Sequence, residues 1–227
     1  MKTTSIIALL LIAWQVSSAQ IQCCKDHLTH VPHHPHASKS NTEANDNFSY
    51  LKSLPKEALS EEEKQSLVQM REEEVLTHDL YHALYDSWKI RVFSNIADNE
   101  SRQNSAIKTL LDKYNIPDPA AKNPAGQYTN KSLQARYDKL KKEGSRSYED
   151  ALSMGAQREE ADIKEIKTYL EGVVNNQDIY VAFSNLRRAS ENHLRVFTNQ
   201  LSNRGRAYTP THLEKEYFYN IINRMHP

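Results

Sequence analysis

The stretch Leu152-Ser-Met-Gly-Ala-Gln-Arg-Glu-Glu-Ala-Asp-Ile-Lys-Glu-Ile-Lys-Thr-Tyr-Leu170 decides how the chain is read. At steps of three and four, Leu152, Ala156, Glu159, Ile163, Ile166 and Leu170 fall on one stripe of an α-helix, the side a helix turns to a core. Glu159 interrupts that stripe, and Asp162 follows one turn later on the same face. An ionised carboxylate taken out of water is costly, so inward acids call for a metal, a paired cation or a shifted pKa.

The same interruption recurs in three other helical stretches. Ser60-Glu-Glu-Glu63 has the spacing of a capping box and opens a helix through Leu67, Met70, Leu76, Leu80, Leu84 and Trp88. Within it Glu73 shares a line with Leu76, Leu80 and Leu84, while Glu74 shares one with Met70, Thr77, Tyr81 and Trp88. Spacing favours Glu73 slightly, and the plainer alternative is a solvated acidic run, Glu72 to Glu74, beside Arg71. A second helix, about 93–114, carries Ile96, Glu100, Gln103, Ile107, Leu110 and Tyr114 on one line. The last long helix, about 177–203, lines up Ile179, Phe183, Leu186, Ser190, His193 and Phe197 and stops at Gly205.

Residues 115–129 contain Pro117, Pro119, Pro124 and Gly126 and predict a long irregular crossover, which permits a parallel or non-adjacent helix to follow. A short helix from about Asn130 to Glu143 comes next. Thr211-His-Leu-Glu214 reads as a second capping box before a last helix through Tyr217, Phe218, Ile221 and Ile222. The expected architecture is all-α, a four-helix bundle with an extra short helix in the crossover and a C-terminal helix, over residues 59–227.

A chain of 227 residues with 38% hydrophobic residues and five glycines suits one helical domain plus tails. Lysine plus arginine equals aspartate plus glutamate at 29 each, so no overall field would recruit nucleic acid or an anionic membrane. Lys2, the apolar run Ile6 to Trp14 and the small residues Ser17-Ser-Ala19 have the layout of a secretory signal peptide over residues 1–19. Its apolar run is about half of the ~20 residues a membrane span needs. Secretion is therefore expected, with the mature chain starting near Gln20.

Residues 20–58 read as a Cys/His-rich flexible tail with little apolar periodicity. Cys23, Cys24, His27, His30, His33, His34 and His36 would suit zinc or copper without a fixed finger spacing. Adjacent cysteines cannot staple a core, and in an oxidising compartment Cys23 or Cys24 allows a disulfide-linked homodimer. Three sequons, at Asn47, Asn99 and Asn130, are open to glycosylation in a eukaryotic source, with Asn99 least favoured inside a helix.

The acids and His193 invite a metal centre. A lone histidine on an apolar stripe is usually a hydrogen-bonded core residue, but inward carboxylates on three other helices strengthen the ligand reading. Glu160 is assigned to solvent, as are His78, His82 and His212. The competing account pairs Glu159 or Asp162 with Arg158, Arg187 or Arg188 in a buried salt bridge.

The blocks Glu72-Glu-Glu-Val-Leu-Thr-His-Asp-Leu-Tyr81, Trp88-Lys-Ile-Arg-Val-Phe-Ser-Asn-Ile96, Tyr114-Asn-Ile-Pro-Asp-Pro119, Gly155-Ala-Gln-Arg-Glu-Glu-Ala-Asp-Ile163 and Asn192-His-Leu-Arg-Val-Phe197 carry a resemblance over about residues 60–225. Together they resemble the ferritin-like family catalogued as domain of unknown function 2202. The resemblance implies a ferritin-like bundle, and metal positions at Glu73 or Glu74, Glu100, Glu159, Asp162 and His193. Two departures stand out. Gln103 replaces the histidine of the family pattern three residues after Glu100, and Ser190 stands where a full di-iron bundle has an acid one turn before its histidine.

The functional expectation is a secreted ferritin-like protein binding iron or manganese in the bundle core, with oxidase- or peroxidase-type activity if the metal is redox-active. Tyr81 or Tyr85 would serve as a nearby hydrogen-bond donor. The rival is a non-enzymatic secreted binding or structural protein with a degraded core site and a metal-capturing tail.

Overall fold

The computed structural model describes residues 48–224, and no strand occurs among them. The helices are α1 (Ser49–Ser53), α2 (Glu61–Trp88), α3 (Arg91–Tyr114), α4 (Lys131–Gly144), α5 (Tyr148–Gly172), α6 (Gln177–Ser202) and α7 (Lys215–Ile222). The signal-peptide segment, Cys23, Cys24, the tail histidines and Asn47 lie outside the described residues.

Helix α2 begins at the expected capping box. Ser60 Oγ accepts from the Glu63 amide and Glu63 Oε2 from the Ser60 amide, both at 3.0 Å. Oε1 of Glu63 accepts from the amides of Asn175 and Asn176 at 2.8 and 2.9 Å, tying the α5–α6 turn to the start of α2. At the other end Lys89 takes a left-handed conformation, φ 52°, and its amide donates to the Tyr85 carbonyl, so α3 can fold straight back.

Two antiparallel hairpins, α2–α3 and α5–α6, face each other. Contacts between Gln69 and Glu165 and between Tyr81 and Gly155 run α2 against α5 in opposite directions. Lys113 with Asp178 and Phe93 with Phe197 do the same for α3 and α6. It follows that α3 and α5 run the same way, the arrangement the long crossover permits, with α4 packed between α2 and α5.

The apolar core is split in two. One half holds Leu80, Leu84, Phe93, Leu152, Leu194 and Phe197; the other holds Leu67, Met70, Ile107, Ile166, Ile179 and Phe183. On each long helix the change of half falls where the stripe is interrupted: Glu73 and Glu74 on α2, Glu100 and Gln103 on α3, Glu159 and Asp162 on α5, Ser190 and His193 on α6. All eight are buried, and they form one polar layer across the middle.

Two expectations need correction. Among the described residues, those ahead of residue 59 already pack on the bundle, because Leu51 is wholly buried in the second half-core and Lys113 Nζ donates to the Leu51 and Leu54 carbonyls at 2.8 and 2.9 Å. Thr211 does not cap the last helix. Helix α7 starts after Glu214 without a side-chain cap, and Thr211 is drawn instead to Glu160.

Candidate metal centre

Glu100, Glu159 and His193 bring ligand atoms from α3, α5 and α6 within 4.8 Å of one another. His193 Nδ1 lies 2.9 Å from Glu100 Oε1 and 3.5 Å from Glu159 Oε2. Ligands about 2.1 Å from a common ion, at right or tetrahedral angles, stand about 3.0–3.4 Å apart. The two distances from His193 lie within about 0.1 Å of that spacing. Buried as they are, these inward atoms have one another as their close partners, the imidazole against the two carboxylates.

The remaining oxygen of each carboxylate is occupied. Tyr81 donates its hydroxyl to Glu159 Oε1 at 2.6 Å, and Gln103 Nε2 donates to Glu100 Oε2 at 2.9 Å. Each outer oxygen is held by a donor on a neighbouring position while the inner one faces the centre, the way ligand carboxylates are oriented in metal sites. Tyr81 is thus the donor, and Tyr85 is not. Gln103, which the sequence marks as a missing histidine, steers Glu100. Glu74, 3% exposed, adds a third carboxylate beside Glu100.

The electrostatics fit a charge-rich pocket. Burial, then the charges of Glu100 and Asp162, push the Glu74 carboxyl well above its ordinary value. Burial also raises Glu159, against the pull of His193. Burial alone would lower His193, yet the carboxylates of Glu159 and Glu100 outweigh it and push the imidazole up to about 10. Burial, with Glu159 beside it, raises the Tyr81 hydroxyl.

Glu73 and Asp162 belong to a neighbouring half of the layer. With Glu165 they form a second group of acids whose oxygens converge, but here a cation is built in. Arg158 Nη2 lies 2.9 Å from Glu73 Oε2 and also pairs with Asp162, while its Nε donates to Thr77 Oγ1 at 3.0 Å. Arg136 from α4 holds the other Glu73 oxygen. The salt-bridge account holds for Asp162, which pairs with Arg158, whereas Glu159 faces the imidazole of His193. Between the two α2 candidates, Glu73 faces the arginines and Glu74 the acid cluster.

Several roles were missed in the sequence. Glu160, expected in solvent, is wholly buried and accepts from the Tyr208 hydroxyl at 2.5 Å and from the Thr211 and Leu213 amides at 3.0 and 3.2 Å. The segment after α6 covers that face of α5, which local periodicity cannot anticipate. Arg136 and Glu165 gave no signal, since each lies off its helix's apolar stripe. His82 and His212 are exposed and His78 is half-buried. Ser190 is buried beside His193 and supplies no carboxylate. Asn130 caps α4, its Oδ1 accepting from the Ser132 and Leu133 amides.

An all-helical bundle whose polar midsection gathers acids and an imidazole defines a class of protein built around a buried charged centre. The chain belongs to the family described as Uncharacterized protein domain (DUF2202), which matches residues 63–225. It is 42% identical over 174 residues to the uncharacterized protein MJ0754 of Methanocaldococcus jannaschii, covering 77% of this chain and 94% of that protein. The crystal structure of hypothetical protein MJ0754 from Methanococcus jannaschii superposes with a TM-score of 0.73, covering 76% of this chain and 98% of that one. No helix among the described residues is long and apolar enough to cross a membrane.

Proposed function

We propose that this is a secreted ferritin-like protein that binds one transition-metal ion, iron or manganese, through Glu100, Glu159 and His193, with Glu74 as a further carboxylate. The observation that carries the reading is the convergence of two buried carboxylates and one imidazole, from three helices, whose inward atoms have one another as close partners. Two buried carboxylates set against a single imidazolium leave an excess of negative charge that is costly out of water, and a metal cation offsets it. Oxygen donors with one imidazole suit iron and manganese. When bound, such an ion would supply Lewis-acid or redox chemistry toward oxygen or peroxide.

The chain's own residues set the terms. Tyr81 and Gln103 fix which carboxylate oxygen faces inward, and His193 exchanges a proton for the ion. Arg158 stands as a permanent cation between Glu73 and Asp162, which supports one ion and not a carboxylate-bridged pair. This weakens the case for two-metal oxygen chemistry and keeps binding as the firmer half.

The rival reading, metal capture by the Cys/His tail, is separated by elemental analysis of the secreted protein. The expected result is about one ion per chain at this site, retained when residues 20–40 are deleted and lost in Glu100→Ala and His193→Ala. Metal that persists in both variants but disappears with the tail establishes the rival.

A further inference from the structure

Helix α2 carries two histidines one turn apart, His78, half-buried, and His82, exposed. Neither belongs to the acid cluster around His193. Residues four apart on a helix are neighbours on one face, and the two ring centroids lie 4.6 Å apart. With Zn–N bonds of about 2.0–2.1 Å and N–Zn–N angles between right and tetrahedral, two imidazoles on one zinc ion have centroids about 4.5–5.2 Å apart. The helix holds the rings within that range.

A second observation concerns how His78 is oriented. Its Nδ1 lies 3.0 Å from Asp79 Oδ1, and the Asp79 side chain is 7% exposed. Oδ2 of the same carboxylate accepts from the Gly126 amide and the Tyr128 hydroxyl. Donors on both oxygens mark the carboxylate as an ionised acceptor, so His78 Nδ1 carries the hydrogen, and in the neutral ring the lone pair is left on Nε2. Ligand histidines of zinc sites are held in this way: one ring nitrogen donates to a carboxylate, which fixes the tautomer and makes the other nitrogen a stronger donor to the ion. Gly126 and Tyr128 belong to the crossover, so the fold itself sets the carboxylate behind His78. His82 is exposed, and rotation of its side chain brings a nitrogen to the same point without repacking the core.

We propose that His78 and His82 form a surface chelate for one zinc or copper(II) ion, with water in the remaining positions and Asp79 as the positioning residue behind His78. Two imidazoles suit zinc and copper, where the oxygen-rich centre of Glu100 and Glu159 suits iron and manganese. The chelate is separate from that centre and does not rest on it.

The test adds zinc to the full chain, isotope-labelled at histidine, and follows the ring nitrogens by NMR at about pH 8, above the ordinary imidazole pKa. His78→Asn and His82→Asn assign the two rings, so zinc held elsewhere on the chain is not counted. Before zinc, His78 should be the tautomer protonated at Nδ1. Zinc should shift Nε2 of His78 and one nitrogen of His82 together, with a single midpoint. In His82→Asn the His78 ring should need about a hundredfold more zinc, because a two-point attachment exceeds either single one by that order. Asp79→Asn should blur the tautomer preference and weaken zinc binding by the pair about tenfold. The assignment is overturned if either ring is unshifted in a large excess of zinc, if the two shift with different midpoints, or if His78 responds equally in His82→Asn. Should Asp79→Asn not fold, the comparison of the wild type with His82→Asn, a change at an exposed position, decides alone.

Discussion

Asp79 is 7% exposed and serves the crossover, not the centre. Its Oδ2 accepts from the Gly126 amide at 2.8 Å and the Tyr128 hydroxyl at 2.9 Å, and its Oδ1 lies 3.0 Å from His78 Nδ1. Gly126 has φ +72°, and a Cβ there would sit 2.8 Å from the Tyr137 hydroxyl, so the turn presented to Asp79 needs glycine. Burial would raise the Asp79 carboxyl, but the bonds from His78, Gly126 and Tyr128 outweigh it and hold it below the ordinary 3.8. A depressed folded-state value contributes stability that is present above the ordinary value and lost as pH falls through the folded one. The wild type's resistance to urea should therefore fall as pH drops below 3.8, and Asp79→Asn should flatten that acid limb while lowering stability at neutral pH. At this scale the sequence was informative wherever depth follows from position on one helix, as for Glu100, Glu159 and His193. It was misleading where a partner from another element decides, as for Glu160 under the Tyr208 segment; it offered Arg158 as a partner of Asp162 but not of Glu73, and it read Gln103 as a lost ligand where the residue donates to Glu100 on its own helix.

Among the elements, α1 depends on a single lysine. Lys113 Nζ, near the end of α3, reaches Asp178 at 2.6 Å and the carbonyls of Leu51 and Leu54, and Asp178 also accepts from the Tyr114 hydroxyl at 2.9 Å. The lysine and aspartate side chains are 7% and 0% exposed. Lys113→Met keeps the length of the side chain but strands a buried carboxylate and two carbonyls. Removing one partner of a buried pair costs about 3–5 kcal/mol, and chemical denaturation should show a loss of that size. Asp178→Asn, which retains an acceptor for Tyr114, should lose less. The long helices were legible because their apolar stripes persist over many turns and Ser60 supplies a complete capping box. Helix α1 was not, being only five residues long and followed by Pro55. The Thr211 motif misled for a related reason. Its hydroxyl donates to Glu160, and α7 starts only after Glu214, so the Thr211 oxygen does not accept from the first amides of that helix.

Over the whole molecule, the polar layer that divides the core makes stability and ion uptake respond to the same protons. With no metal, His193 is held charged up to about 10 against an ordinary 6.5, so its contribution is fully present below 6.5 and lost as pH rises through about 10. An ion must displace that proton. Uptake near neutral pH should release at least one proton, and affinity should rise about tenfold per pH unit for each proton displaced. Calorimetric titration in two buffers of different ionisation enthalpy would count the protons, and an affinity independent of pH would contradict the exchange. Glu160 bears on a different matter, the order in which the chain is made. Its partners Tyr208, Thr211 and Leu213 lie 48, 51 and 53 residues further along. During translation, at about 5–20 residues per second, α5 exists for several seconds with Glu159 facing the centre and Glu160 waiting for its clasp. The neighbouring acids of one helical turn therefore meet their partners at different stages of synthesis, Glu159 once His193 on α6 has been made and Glu160 once the segment after α6 has followed.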